Sequence, residues 1–118
     1  MAFKAVHRYA RISSRKVRPL ADLVRGKFAD EALELLQFQP HRGARMLEKV
    51  IKSAIGSAQD TDQNGGRSYS IEELVVVDAR IDGGPVAKRF QPRSRGQAFG
   101  ILKRSSHISV ELKRLEEL

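Results

Sequence analysis

The sequence contains no cysteine and no tryptophan among its 118 residues. The absence of cysteine excludes disulfides, iron–sulfur clusters, cysteine-based zinc sites and thiol catalysis. Only seven aromatic residues are present, five Phe and two Tyr, so the core must be mostly aliphatic. The longest relevant apolar run, residues 74–77, is far shorter than the roughly 18 residues that a membrane-spanning helix needs. A chain of this length forms one domain, or one domain with an arm.

Acidic residues are missing from two long stretches of the chain. Residues 1–21 contain six bases and no acid, and residues 83–110 contain another six bases and no acid. Residues 22–82 are slightly acidic, so the formal net charge of +8 is concentrated in two segments rather than spread over the surface. This concentration indicates a polyanionic partner, either a nucleic acid or an anionic membrane surface.

The first basic segment also loosely resembles an organellar transit peptide, because it is rich in bases and free of acids. Against that interpretation, its apolar and basic residues alternate as in a strand, and a helix signal follows directly. No continuous apolar stretch typical of a secretory signal is present. We therefore expect a cytoplasmic protein.

Alternating hydrophobicity predicts three strands. The first covers residues 3–12, with Val6, Ala10 and Ile12 on one face. The second covers residues 71–82, and its buried face should contain Val75, Val77, Ala79 and Ile81. The third covers residues 105–112, with Ile108, Val110 and Leu112 alternating with polar residues. Residues 112–118 have three open alternatives: an extension of this strand, a terminal turn, or disorder.

Helical periodicity predicts three helices. The first follows the N-cap signal Ser13-Ser14 and ends at Gly26, while Pro19 inside it predicts a late start or a bend. The second begins near Asp30 and ends before Pro40. The third covers residues 41–57 and buries the stripe Leu47, Val50, Ile51, Ala54, Ile55 and Ala58.

Residues 83–104 contain few large apolar side chains, four glycines and two prolines. Such a segment cannot form a core of its own, yet it joins two predicted strands. We therefore predict an extended β-hairpin with its tip at residues 91–96, projecting about 30 Å. The expected fold is α+β: a small antiparallel three-stranded sheet packed by three helices, with a long protruding hairpin. The chain is then a single domain, with a body of residues 1–82 and 105–118 and a hairpin of residues 83–104.

The sequence offers little for catalysis. His7, His41 and His107 are far apart, and none has a partner at metal-ligand spacing. The carboxylates Asp78 and Asp82 could serve a metal-dependent nuclease, but acids that alternate with buried valines are typical of the solvated side of a strand. No Walker or dinucleotide-binding glycine motif is present. We expect no enzymatic activity, no cofactor and no metal.

The basic segments favour RNA as the partner. Residues 88–96 (Lys-Arg-Phe-Gln-Pro-Arg-Ser-Arg-Gly) place four bases around one aromatic ring, and guanidinium groups and rings can pair with phosphates and stack on bases. The bases at the start of the first helix suit a phosphate at a helix N-terminus. A thin basic finger fits the crevices of a folded RNA better than the groove of a regular duplex.

Several stretches taken together are typical of one protein family. Residues 10–18 (Ala-Arg-Ile-Ser-Ser-Arg-Lys-Val-Arg) and 21–27 (Ala-Asp-Leu-Val-Arg-Gly-Lys) resemble the N-terminal signature of the ribosomal protein L22 family, bacterial type. Gly84-Pro85, residues 88–96 and residues 101–108 (Ile-Leu-Lys-Arg-Ser-Ser-His-Ile) resemble its hairpin and closing strand. Residues 31–33 and 49–54 follow in order, so the resemblance covers nearly the whole chain. The chain departs from the family at Pro19, at Phe90 and in its C-terminal tail.

The resemblance implies a structural protein of the large ribosomal subunit that binds 23S rRNA and supports assembly. It implies a body near the exit of the peptide tunnel and a hairpin that lines the tunnel. The implied partners are the rRNA, neighbouring proteins including ribosomal protein L4 near the tunnel constriction, and the nascent peptide in passing. No membrane or small-molecule substrate is implied, and the protein is expected to be cytoplasmic and ribosome-bound.

Two sets of residues carry these expectations. The tunnel-facing tip is expected at Lys88, Arg89, Phe90, Gln91, Pro92, Arg93, Ser94 and Arg95. The rRNA-binding residues are expected to be Arg8, Arg11, Arg15, Lys16, Arg18, Lys88, Arg89, Arg93, Arg95, Lys103 and Arg104. The alternative function is also RNA binding: a free-standing RNA chaperone or regulator that uses the same basic hairpin.

Overall fold

The computed structural model describes residues 2–118 and has the α+β architecture that the hydrophobic periodicity predicts. The helices are α1 (Ser14–Val24), α2 (Ala29–Gln37) and α3 (Arg42–Gln59). The strands are β1 (Ala2–Ala10), β2 (Leu74–Gly83), β3 (Ala87–Pro92), β4 (Ala98–Lys103) and β5 (Ser106–Arg114). The predicted three helices and antiparallel three-stranded sheet are thereby confirmed.

The sheet has the order β1-β5-β2, and both outer strands run antiparallel to β5. On the inner face of β5, Ile108, Val110 and Leu112 are buried as predicted. Leu112 lies opposite Phe3 on one side and Val76 on the other, so one buried row crosses all three strands. The helices cover this face, and their apolar stripes complete an aliphatic core.

Two β-bulges change which side chains reach the core. In β1 the register shifts between His7 and Ala10, and in β2 it shifts between Val76 and Asp78. Each bulge inserts one extra residue, which reverses the inward and outward alternation beyond it. Phe3 therefore shares the buried face with Ala10, while Val6 is 49% exposed. The prediction that Val6 and Ala10 share one face of the strand is wrong for this reason.

The same correction applies to β2. Leu74 and Val76 are buried before the bulge, and Ala79 and Ile81 are buried after it. Val77 is the extra residue and is only half-buried. Val75 is buried as predicted, but it alternates with the buried residues Leu74 and Val76, so the single alternating face predicted for this strand is correct only in its second half.

Helix α1 begins at Ser14 with Ser13 in the N-cap position, but the Ser13 side chain makes no capping hydrogen bond. The late start that Pro19 suggested is wrong, since the helix runs through this residue. Gly26 ends the segment with φ +85°, a conformation that favours glycine, and its N–H donates to the Val76 carbonyl at 2.8 Å.

Helices α2 and α3 lie where the sequence predicts them, and every residue of the predicted α3 stripe is buried.

Residues 112–118 combine two of their three predicted alternatives, a strand extension and a terminal turn. Strand β5 continues to Arg114, and a short 3-10 turn follows at Leu115–Glu117.

Strands β3 and β4 form a separate two-stranded antiparallel sheet, with Ala87 opposite Lys103 and Pro92 opposite Ala98. Six residues per strand correspond to a paired length of about 20 Å. Arg95 and Gly96 take positive φ in the connecting turn. The predicted projection of about 30 Å from the body stays a prediction.

Within residues 2–118, no helix has the length and apolar character required to cross a bilayer.

Candidate nucleic-acid interface

The N-terminal ends of α1 and α3 lie next to each other because Gly43 permits a close approach. A Cβ added at Gly43 would lie 3.2 Å from Val17 and 3.3 Å from both Ile12 and Leu20. Neither helix has an acidic residue in its first turn. Both first turns instead carry bases, which is unfavourable at the positive end of a helix dipole and is relieved by a bound anion.

The hairpin is joined to the body beside these helix ends. The Gly84 N–H donates to the Ser105 carbonyl at 2.9 Å, and the Ser105 hydroxyl donates to the Pro85 carbonyl at 2.7 Å. A Cβ at Gly84 would lie only 2.5 Å from the Ser105 Oγ. These contacts tie the two arms of the hairpin together at its base.

A cleft of about 1550 Å³ separates the base of the hairpin from the ends of α1 and α3. Among the described residues that line it, none is acidic. Its basic lining comes from the body and from the hairpin: Arg11, Arg15, Lys16, His41, Arg42, Arg89, Lys103 and Arg104. We call this feature the basic cleft. With cations on both walls and two helix N-termini at one side, it is suited to hold a polyanionic strand.

The structure brings together six of the predicted binding residues in the basic cleft, drawn from both acid-free segments. They are Arg11, Arg15, Lys16, Arg89, Lys103 and Arg104. The other five do not line it. Arg8 is exposed on β1, and Lys88, Arg93 and Arg95 are exposed on the hairpin, with Arg93 and Arg95 at its turn.

Arg18, the fifth residue outside the cleft, has a partner within the body. Its Nε and one Nη each donate to the Ile81 carbonyl at 3.3 Å. Arg25 makes the corresponding contact with the Ala79 carbonyl at 2.5 Å. The two guanidinium groups thus occupy backbone acceptors of β2 and hold α1 against the sheet.

Sequence reasoning missed Arg42 and treated His41 as an ordinary surface histidine. Both lie in residues 22–82, where acids outnumber bases, so the net charge of that segment did not indicate an anion-binding site. The sequence did contain one signal for Arg42. It is the first residue of a helix whose first turn has no acid, and such a helix end favours a bound anion. The Arg42 guanidinium donates to the Arg11 carbonyl, which joins the start of α3 to the segment before α1.

The fit of Gly84 against Ser105 gives a testable prediction about the base of the hairpin. We expect Gly84→Ala to lower the free energy of unfolding by about 1–3 kcal/mol, because its Cβ collides with Ser105 and disturbs the bond to Pro85. Urea denaturation followed by circular dichroism measures the change.

Gly83→Ala is the matched control, since a Cβ at Gly83 meets nothing within 4 Å. Adding Ser105→Ala to the Gly84→Ala variant removes the Oγ and should restore part of the lost stability. Equal losses for the variants at positions 83 and 84, with no rescue, would contradict the proposed close fit.

The carboxylates considered for a nuclease are dispersed on the outer face of the sheet. Asp78 lies opposite Glu111, and Asp82 lies opposite His107 on β5. Over residues 2–118, no three His, Asp or Glu side chains are grouped so that they could hold a metal ion.

Comparison with known proteins gives a consistent result. The model of the family described as "Ribosomal protein L22p/L17e" matches residues 5–113. The "Large ribosomal subunit protein uL22" of Rhodopirellula baltica is 67% identical over 116 residues, covering 98% of this chain and 98% of that protein. The protein of the same name from Herpetosiphon aurantiacus is 50% identical over 110 residues, or 93% of each chain. That from Caldicellulosiruptor saccharolyticus is 46% identical over 112 residues, covering 95% of this chain and 88% of the relative.

Proposed function

This chain belongs to the ribosomal protein L22 family, and we propose that it binds large-subunit rRNA through the basic cleft and the exposed bases of its hairpin. As a member of the family it is a constituent of the large ribosomal subunit and a structural component rather than an enzyme. The observation that carries the binding proposal is the basic cleft, in which residues distant in sequence form a cationic surface with no acid among the described lining residues.

The proposed binding unit is the whole chain. Residues 1–82 and 105–118 act as the body, and residues 83–104 act as the hairpin. The body contributes one wall of the cleft and the hairpin the other, so an RNA strand in the cleft contacts both. Such a strand would restrain the hairpin relative to the body, and we propose that this is how the protein supports subunit assembly.

The turn of the hairpin suits a narrow RNA-lined space. Phe90 is 75% exposed, and no residue from 88 to 100 is buried. Side chains that remain exposed in the free protein are available for contacts with a surrounding structure. We propose that residues 88–95 face the peptide tunnel, near ribosomal protein L4 and the nascent peptide, on ribosomes of the cytoplasm.

Salt dependence tests the electrostatic part of this proposal. If about six phosphates are neutralised, the logarithm of the affinity for large-subunit rRNA should fall against the logarithm of the salt concentration with a slope of about −4 to −5. Filter binding of the full chain to a 23S rRNA transcript measures this slope. A slope near zero would exclude phosphate neutralisation as the source of affinity.

Sedimentation separates the ribosomal proposal from a free-standing RNA chaperone. A structural constituent should remain with large subunits after a high-salt wash, because its contacts are buried within the assembled particle. A chaperone that uses the same basic arm should wash off. Recovery of the protein only in the supernatant would therefore contradict the structural role.

A further inference from the structure

Tyr9 is held in an unusual backbone conformation at the edge of the basic cleft. It has φ +59°, and it lies in the β-bulge between His7 and Ala10. Positive φ is unfavourable for a bulky side chain and persists only where the surroundings enforce it. Residues in such conformations cluster at functional sites.

His107 enforces the conformation from the neighbouring strand. The Tyr9 N–H donates to the His107 Nδ1 at 3.1 Å, and the two rings meet edge to face with centroids 5.0 Å apart and an interplanar angle of 87°. The Tyr9 ring nevertheless remains 65% exposed and lines the basic cleft. The local structure therefore directs an aromatic ring outward rather than into the core.

The second tyrosine shows what a structural aromatic residue looks like in this fold. Tyr69 is only 9% exposed, packs against Phe3 with centroids 5.5 Å apart, and lies under the Arg114 guanidinium at 4.7 Å. Tyr9 has no comparable burial. Its exposed ring thus contributes little apolar burial to offset its unfavourable backbone conformation.

We propose that Tyr9 is a stacking platform for an unpaired RNA base at the mouth of the basic cleft, and that His107 is the residue that positions it. The inference rests on the proposed function, that the cleft binds RNA. Aromatic rings stack on unpaired bases of any sequence, whereas the bases of a regular duplex are already stacked on each other. Tyr9 would therefore select single-stranded or unpaired RNA, while the surrounding cations bind the phosphates.

Substitution separates stacking from electrostatic attraction. We expect Tyr9→Leu to weaken binding of an oligoadenylate of about 12 nucleotides on the order of tenfold, and Tyr9→Phe to bind as the natural protein does. Neither change should alter the salt slope, because neither removes a charge. A blunt RNA duplex of about the same length should bind the natural and Tyr9→Leu proteins equally.

The absence of tryptophan from the chain provides a direct reporter. In a Tyr9→Trp variant the only indole lies at the mouth of the cleft. Its fluorescence should be quenched by the oligoadenylate and much less by the duplex. This measurement does not depend on the stability of the leucine variant.

A double-mutant cycle tests the positioning role of His107. His107→Ala should weaken oligoadenylate binding when Tyr9 is present and have little further effect in the Tyr9→Leu background. A residue needed only for folding would give additive losses.

The outcomes distinguish this inference from the proposed function. If the natural protein does not bind the 23S rRNA transcript, the proposed function itself fails. If it binds the transcript but not the oligoadenylate, the stacking platform is wrong. If RNA binds but Tyr9→Leu equals the natural protein, or the indole is quenched equally by both RNAs, the stacking platform is wrong and the electrostatic cleft stands.

Discussion

Replacing Arg15 and Arg104 together with glutamate is expected to lower the affinity for large-subunit rRNA by about 30-fold or more at physiological salt. The two side chains lie on opposite walls of the basic cleft, Arg15 in the first turn of α1 and Arg104 at the base of the hairpin. Loss of two phosphate contacts should also make the salt slope shallower by about 1.4 to 1.8. Filter binding over a range of salt concentrations measures both quantities.

The same variant should fold at least as well as the natural protein. A glutamate at position 15 places negative charge at the positive end of α1, which stabilises a helix by about 0.3–1 kcal/mol. Affinity and stability are thus expected to change in opposite directions, so loss of binding through unfolding is readily recognised by thermal denaturation.

Lys52→Glu combined with Arg67→Glu is the matched control, since it makes the same change in net charge. Both of these side chains are exposed and neither lines the basic cleft. The control should lose far less affinity than the cleft variant. Equal losses would mean that overall charge, rather than the cleft, determines binding.

Leu112→Ala is expected to lower the free energy of unfolding by about 2–5 kcal/mol. Leu112 is fully buried on the central strand, where it lies between Phe3 of β1 and Val76 of β2. Its removal leaves a cavity in the row that crosses the whole sheet. Because a small domain is stable by only about 5–15 kcal/mol, this loss is a large share of the total.

Urea denaturation of the full chain measures the effect of this substitution, and Leu102→Ala on the hairpin is its control. Leu102 is 49% exposed, so its truncation should change stability by about 0.5 kcal/mol or less. A Leu112→Ala variant as stable as the Leu102→Ala variant would contradict the prediction that the buried row of the three-stranded sheet stabilises the protein.

Regular elements were predictable because their signals are local. The buried stripe of α3 repeats with the helical period over residues 47–58, and β5 alternates strictly from Ile108 to Leu112. Gly26 marked the end of the first helical segment through its conformational freedom. In each case neighbouring residues alone supply the physical preference.

The bulges were not predictable in the same way. Val6 and Val77 fit the alternating pattern of a strand, but pairing with β5 inserts one extra residue near each of them. A one-residue change of register moves side chains to the opposite face. The position of such a shift depends on the partner strand, which a local pattern does not contain.

The sequence by itself determined that this protein has two strongly basic segments, an α+β body and the motifs of its family. Only the tertiary structure decided which bases share a surface. It placed Arg42 in the basic cleft with Arg15 and Arg104, and it turned the Arg18 guanidinium toward the Ile81 carbonyl. The physical reason is that charge and periodicity are properties of neighbours along the chain, whereas a binding surface is formed by residues that only folding brings together.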